Sequence, residues 1–257
     1  MALRQISLQD AVVYGPVKSR RLGNSLGINP LPLGYKLCSS NCVYCQYGWT
    51  YSDRTTPEPI KRAPELLAII EEAFQELVEE ETPIDCITLA GNGEPTLHPD
   101  LEEVVMGIKR LRDQYFPHAK VGILSDGTQV HRPKVRRALE QLDERYMKLD
   151  AGDEETWRLI DKPLGSANWK ILIETLKSLP EIVLQCMFIQ GSYDNTHDDH
   201  IDRWIALVST IHPKSVQVYT IDRTTAAPGI EKVPHERLEA IANLLTERTN
   251  IPAEVYE

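Results

Sequence analysis

The chain has 257 residues, of which 42% are hydrophobic and 26% are charged, so it can bury a core and is not disordered throughout. Its formal net charge of −10 argues against non-specific binding to nucleic acid, which depends on a basic surface. No apolar run approaches the roughly 20 residues that cross a bilayer, and the N-terminus lacks the pattern of a secretory signal. These features predict a folded cytoplasmic protein that does not enter membranes.

Short β-branched runs alternate with helical periodicity along most of the chain. The predicted strands cover residues 25–29, 84–90, 120–125, 146–150, 182–190 and 215–221. The predicted helices cover residues 64–80, 101–115, 133–142, 154–160 with 169–179, 197–211 and 235–248. Because strands separated by such helices pair in parallel, about six βα units favour an incomplete (β/α)6 TIM-like barrel. A doubly wound open sheet is the alternative α/β architecture.

The pattern predicts a single domain over residues 1–257. Within it we expect an N-terminal extension at 1–24, a barrel core at about 25–223, and a C-terminal helix and tail at 224–257. In either α/β architecture the functional groups gather where the strands end. The candidates for the site are therefore the polar residues that follow or close the predicted strands.

Three of the five cysteines lie in one loop, as Cys38, Cys42 and Cys45, with gaps of three and two residues. Thiolates suit zinc or iron–sulfur clusters. A structural zinc site takes four closed ligands, and an electron-transfer cluster normally takes four cysteines, whereas three cysteines leave one iron open to bind a substrate or cofactor. Cys86 and Cys186 stand alone in apolar runs and are predicted to be buried, unreactive side chains.

The cysteine loop, with Tyr44 just before its last cysteine, resembles the signature of the radical S-adenosylmethionine (SAM) superfamily. Further on, Gly91-Asn92-Gly93-Glu94-Pro95 follows a predicted strand and is similar to the glycine-rich GGEP motif of that family. Other segments, at 15–23, 25–29 and 148–152, are similar to the branch that includes the radical SAM enzymes of tRNA wyosine synthesis. The resemblance therefore extends over most of the chain.

The resemblance implies a [4Fe–4S] cluster held by Cys38, Cys42 and Cys45, with SAM bound to the fourth iron. It further implies reductive cleavage of SAM to a 5′-deoxyadenosyl radical that abstracts hydrogen from a substrate. Gly93, Glu94 and Pro95 match the motif that binds the methionyl group, and Tyr44 belongs to the cluster loop. Ser125 and Asp126 follow a predicted strand where relatives contact the ribose or carboxylate, Ser125 being favoured and Asp126 a ribose hydroxyl acceptor.

Polar residues close the later strands. Lys148 and Asp150 share one strand face, where Lys148 is predicted to hold an acidic or carbonyl substrate and Asp150 to orient SAM, unless they form a solvent-facing ion pair. Gln185 could line the cavity or be satisfied within the barrel. Arg223 is a candidate for binding substrate anions, or an ordinary surface arginine.

The sequence leaves the substrate open among a small molecule, a peptide and a modified tRNA nucleotide. An RNA-modifying enzyme related to wyosine synthesis is the second hypothesis, although no cysteine precedes Cys38, where wyosine enzymes carry ligands for another cluster. A non-enzymatic iron–sulfur or zinc module and a pure RNA-binding module are the hypotheses from other classes. The resemblance also implies a reductant such as flavodoxin or ferredoxin.

Overall fold

A computed structural model describes residues 7–50 and 58–256. The strands are β1 (Val13–Ser19), β2 (Gly23–Ile28), β3 (Cys86–Leu89), β4 (Lys120–Ser125), β5 (Glu144–Lys148), β6 (Ile182–Met187), β7 (Ile189–Gly191), β8 (Ser215–Tyr219), β9 (Ile230–Lys232) and β10 (Ala253–Tyr256). The α-helices are α1 (Ala63–Glu79), α2 (Leu101–Tyr115), α3 (Pro133–Glu140), α4 (Glu154–Ile160), α5 (Trp169–Ser178), α6 (Asp198–Ile211) and α7 (His235–Thr249).

One eight-stranded sheet carries the fold, in the order β1-β2-β3-β4-β5-β6-β8-β10. Neighbours from β2 to β10 are parallel, and β1 is antiparallel to β2. The spatial order follows the chain order without reversal, so the sheet is singly wound and has no switch point of the kind a doubly wound sheet requires. The predicted incomplete TIM-like barrel is confirmed.

The predicted elements agree with the structure, apart from the two edge strands of the main sheet, the short strand β9 and one divided strand. Residues 182–190 form two strands rather than one, because the chain leaves the sheet at Phe188 and β7 pairs with β9 instead. Strand β1 lies within the segment predicted as an extension, and β10 lies within the predicted tail. Gly15 and Pro16 in β1 are typical of turns, and Pro16 lacks a backbone donor, which an edge strand with an irregular register tolerates.

Helix α1 shows how the outer layer is anchored. Pro64 occupies its first turn, where a missing backbone N–H costs little, and Leu66, Ile70 and Phe74 are fully buried at helical spacing. The Phe74 ring meets the Phe116 ring edge-on, with centroids 5.3 Å apart. Burying each of these side chains contributes about 1.5–3 kcal/mol, so the helix is fixed by its apolar face.

A second, smaller apolar cluster covers the carboxyl end of the barrel. Its buried members are Val43, Ile160, Ile189, Ile221, Ala227 and Ile230. Val43 belongs to the cysteine loop, so this cluster packs the loop against the end of α4 and the small β7–β9 sheet. In the part of the chain that the structure describes, no helix is long and apolar enough to cross a membrane.

Candidate cofactor site

The cysteine loop follows β2 and lies across the carboxyl end of the sheet. Its backbone is tied to the end of α4, where the Val43 amide donates to the Ile160 carbonyl at 2.9 Å and the Asn41 amide donates to the Lys162 carbonyl at 3.0 Å. On the other side the Ala227 amide donates to the Val43 carbonyl at 2.8 Å. Segments far apart in sequence therefore fix the path of the loop.

The glycine-rich turn after β3 joins the cysteine loop directly. The Leu37 amide donates to the Asn92 carbonyl at 2.8 Å, and the Glu94 amide donates to the Leu37 carbonyl at 2.9 Å. Gly93 has a φ of +142°, and a β-carbon on it would lie 1.7 Å from the Leu37 oxygen. Only glycine permits this approach, so the two motifs found in the sequence form one structural unit.

Glu94 links that unit to the end of β4. Its carboxylate accepts hydrogen bonds from the Ser125 hydroxyl at 2.8 Å, the Asp126 amide at 2.7 Å and the Thr96 amide at 3.1 Å. Burial, followed by the nearby Asp126 charge, raises the pKa of Glu94 to about 8. A buried carboxyl with this pKa gains its full negative charge most readily beside a cation, such as the ammonium of an amino acid.

Asp126 connects β4 back to the cysteine loop. One carboxylate oxygen accepts from the Ser39 hydroxyl at 2.7 Å and the Ser40 hydroxyl at 2.8 Å. The other oxygen accepts from the amide and hydroxyl of Thr128, at 3.0 and 2.7 Å. Both oxygens of the predicted ribose acceptor thus have protein donors in this structure, and Asp126 fastens the residues between Cys38 and Cys42.

Lys148 and Asp150, at the end of β5, face the cysteine loop and are not a solvent-facing pair. The Lys148 ammonium donates to the Cys42 sulfur at 2.9 Å and forms an ion pair with Asp161 at 2.7 Å. Asp150 is fully buried and accepts hydrogen bonds from the Tyr44 hydroxyl and from the Met187 amide. Burial, reinforced by Asp161, raises the pKa of Asp150 even though Lys148 opposes the shift.

Gln185 and Arg223 lie nearby in different settings. The Gln185 side-chain amide donates to the Gln217 side-chain oxygen at 2.7 Å. In the sheet, Gln185 lies between Lys148 on β5 and Gln217 on β8. Arg223 follows β8 and donates to the side-chain oxygen of Gln46 at 2.6 Å, next to the last cysteine of the loop. Gln185 is therefore satisfied inside the barrel, whereas Arg223 lies half-buried at the rim of the site.

Sequence reasoning did not single out three contributors to this site. Lys36 is buried and donates to the Cys45 sulfur at 3.2 Å, and Asp161 is the carboxylate that pairs with Lys148. The Leu37 backbone carries the bond to the glycine-rich turn. The closeness of Lys36 to Cys38 in sequence is a signal that could have found it, but Asp161 ends a helix and its sequence context carries no such signal.

The donor set suits a multi-iron group. Among residues 7–50 and 58–256, no three His, Cys, Asp or Glu side chains converge closely enough to hold a single metal ion. Three thiols in one loop leave one iron of a four-iron cluster without a protein ligand, whereas a structural zinc site takes four closed ligands. Burial, followed by Asp126, raises the pKa of Cys38 to about 12, and burial also raises the pKa of Cys42, so metal binding would displace thiol protons.

Two relatives match most of this chain. The "GTPase Obg" of Brachyspira hyodysenteriae is 32% identical over 232 residues, which are 88% of this chain and 32% of that protein. A "UPF0026 protein" of Helicobacter pylori is 33% identical over 225 residues, which are 84% of this chain and 68% of that protein. The chain thus spans about a third of the first relative and about two thirds of the second.

Solved structures share the fold. The structure of TYW1 with a lysine-pyruvate adduct has a TM-score of 0.61 and 16% identity, over 88% of this chain and 74% of that one. Streptococcus suis SuiB bound to S-adenosylmethionine has a TM-score of 0.62 and 14% identity, over 90% of this chain and 50% of that one. The radical SAM superfamily profile matches residues 34–245, which include every cysteine of the loop and all the strands from β3 to β9. The chain belongs to the radical SAM superfamily of enzymes, whose cofactors are a [4Fe–4S] cluster and SAM.

Proposed function

We propose that this protein cleaves SAM reductively and abstracts hydrogen from a substrate. The observation that carries the proposal is the bond between the Leu37 and Gly93 segments, which joins the cysteine loop to the glycine-rich turn. When bound, the cluster and SAM would supply one electron and a 5′-deoxyadenosyl radical. Cys38, Cys42 and Cys45 would hold the cluster, as family membership and the open three-thiol set both suggest.

The residues around Glu94 fit the methionyl end of SAM. The segment from Gly93 to Pro95 lies beside Cys38. The buried carboxylate of Glu94, in this segment, would meet the ammonium group of SAM. The Ser125 hydroxyl donates to this carboxylate at 2.8 Å, and we assign Ser125 with Asp126 to the same binding region. These groups orient the cofactor and do not themselves form or break bonds.

The opposite side of the loop offers groups for the substrate and the adenosine. Tyr44 and Asp150 are hydrogen-bonded to each other, and Lys148 lies 3.9 Å from Asp150. We assign Asp150, Tyr44 and Gln185 to cofactor orientation, and Lys148, as the catalytic residue, to holding an acidic or carbonyl group of the substrate. Arg223, at the rim, is assigned to an anionic group of the substrate because a guanidinium pairs bidentately with carboxylate or phosphate.

The experiment is anaerobic. The cluster is reconstituted and reduced, SAM is added, and 5′-deoxyadenosine is followed by chromatography for the wild type, Cys42→Ala and the matched control Cys86→Ala. We expect product from the wild type and the Cys86 variant, and none from Cys42→Ala. A fully loaded, reduced wild type that neither makes product nor changes its EPR spectrum when SAM is added would contradict the proposal.

A modified nucleotide of tRNA is the second candidate substrate. The fold similarity to TYW1 and two basic residues favour it. Lys18 lies near the end of β1, and Arg20 lies in the turn that follows, where it reaches Asp222 beyond β8 at 3.7 Å. Binding of bulk tRNA should then weaken steeply with salt, and the weakening should be smaller for Lys18→Ala with Arg20→Ala. A tRNA affinity that changes neither with salt nor with the substitutions would leave a small molecule or a peptide as the substrate class. For any of these substrates, we propose flavodoxin or ferredoxin as the electron donor.

A further inference from the structure

Two lysines contact the cysteine loop from opposite sides. Lys36 comes from the chain just before the loop, and its ammonium lies 3.2 Å from the Cys45 sulfur. Lys148 comes from the end of β5, and its ammonium lies 2.9 Å from the Cys42 sulfur. Each lysine thus reaches a different one of the three thiols, and together they form what we call the lysine pair.

Among residues 7–50 and 58–256, the first lysine has no carboxylate partner. Lys36 is 6% exposed, and its ammonium donates to the Gly48 carbonyl at 2.7 Å in addition to the Cys45 sulfur. No ion pair involving Lys36 occurs in the described ranges. Burying an ammonium without a negative partner costs several kcal/mol. A negatively charged group bound beside Lys36 would offset this cost.

The second lysine is aimed by a buried acid. Asp161 is 1% exposed and lies 2.7 Å from the Lys148 ammonium, at the end of the helix that also binds the backbone of the loop. This ion pair fixes the direction of the Lys148 side chain toward Cys42. The lysine therefore keeps its position relative to the sulfur whatever occupies the rest of the site.

The charges around the three thiols are asymmetric. Cys42 and Cys45 each accept a hydrogen bond from a lysine, whereas Cys38 has Asp126, Lys36 and Glu94 in its electrostatic surroundings. Two carboxylates, Asp161 and Asp150, also lie beside Lys148. The asymmetry therefore lies in the direct ammonium contacts, which two of the three sulfurs have and which favour added negative charge on those sulfurs.

We propose that the lysine pair tunes the bound cluster, each ammonium donating a hydrogen bond to a cluster thiolate and the two together raising the reduction potential of the cluster. This inference rests on the proposed function. Reduction would add one electron, supplied by an external one-electron donor, and so one negative charge to a group whose thiolate ligands contact the two ammonium groups. Hydrogen bonds to the sulfur ligands and nearby net charge are among the factors that set cluster potentials. Lys36 and Lys148 are positioning residues in this role.

The test is an EPR-monitored redox titration of the reconstituted protein without SAM or substrate. Lys36→Gln and Lys148→Gln are compared with the wild type and with Lys177→Gln, which removes a surface lysine paired only with Glu174. We expect each site variant to lower the equilibrium constant for reduction about tenfold, which is 59 mV for a one-electron couple, and the control to leave it unchanged. Wild-type potentials in both fully loaded Gln variants would overturn the proposal.

Variants that retain the charge keep the test decisive if the Gln variants do not hold iron. Lys36→Arg and Lys148→Arg should then bind iron and keep a potential near that of the wild type, because the cation remains beside the sulfur. Loss of iron from the Arg and Gln variants alike would show that side-chain shape matters and charge does not, which overturns the proposal. A wild type that binds no cluster would instead contradict the proposed function.

Discussion

The Leu37 carbonyl oxygen occupies the space that a side chain on Gly93 would fill. A β-carbon there would lie 1.7 Å from that oxygen and 2.4 Å from the carbonyl carbon, and both are backbone atoms that cannot swing away. Leu37 immediately precedes Cys38. Any displacement at Gly93 is therefore passed to the first residue of the cysteine loop.

Gly93→Ala should separate the glycine-rich turn from the cysteine loop and lower iron binding at least tenfold while the barrel stays folded. The measurement is iron and sulfide content after reconstitution, together with far-UV circular dichroism. Gly34→Ala is the matched control, because the single atom near its β-carbon is a Glu58 side-chain oxygen at 3.2 Å. Full iron content in Gly93→Ala would contradict the expected coupling.

Glu94 should make the apoprotein less stable as the pH rises. Its pKa of about 8 in the folded protein is above the ordinary value of 4.5, so between these two values the folded state holds a proton that the unfolded state releases. The contribution is fully present below pH 4.5 and is lost as the pH rises toward 8, with a slope of at most about 1.4 kcal/mol per pH unit. Urea unfolding at several pH values should show this slope in the difference between the wild type and Glu94→Gln, because the variant side chain does not titrate. Parallel wild-type and variant curves would refute the assignment.

Asp126→Ala should loosen the cysteine loop by releasing the Ser39 and Ser40 hydroxyls. Partners that orient metal ligands typically contribute 10–100-fold to metal affinity, and a loss of that size is expected in competition with an iron chelator. Asp126→Asn keeps one acceptor oxygen and an amide that the rotating hydroxyls can meet, so it should recover part of the affinity. Equal affinity in the Ala variant and the wild type would show that the loop holds itself without Asp126.

Asp161→Ala should destabilise the folded protein by about 3–5 kcal/mol, because it removes the buried carboxylate at 2.7 Å from the Lys148 ammonium and leaves only Asp150, at 3.9 Å, among the ion-pair partners described for it. The measurement is the free energy of unfolding of the apoprotein in urea. Asp199→Ala removes one of the two carboxylates that pair with Arg203 on the surface, where an exposed pair contributes about 1 kcal/mol or less. Similar losses in the two variants would mean that Lys148 is rehydrated when Asp161 is removed.

The sequence predicts the parallel βα units well, because their strands are continuous apolar runs and their helices have one apolar face. Helix α2 and strand β4 occur at the predicted residues, and the edge strand β1 was missed since Gly15 and Pro16 are typical of turns. Strand β1 forms because it pairs with β2, and the strand propensity of its own residues does not predict that pairing.

The candidate site was predictable as two motifs and not as a set of contacts. The spacing of Cys38, Cys42 and Cys45 identifies the loop, and Glu94 is identified by its motif. Two sets of contacts depend on segments that meet only in the folded barrel. They are the hydrogen bonds from Ser39 and Ser40 to Asp126, and the ion pair between Asp161 and Lys148. Such contacts between distant residues leave no periodicity in the chain.

The cysteine loop meets its supports late in the chain. Its backbone and side chains bind residues of the β3–α2, β4–α3 and α4–α5 connections and of the segment after β8, and Ala227 is the last of these partners. During synthesis the three thiols emerge long before those segments do. We therefore expect the loop to acquire its final shape only after the segment beyond β8 has been made, and a chain truncated after β6 to lack the Ala227 contact that holds Val43.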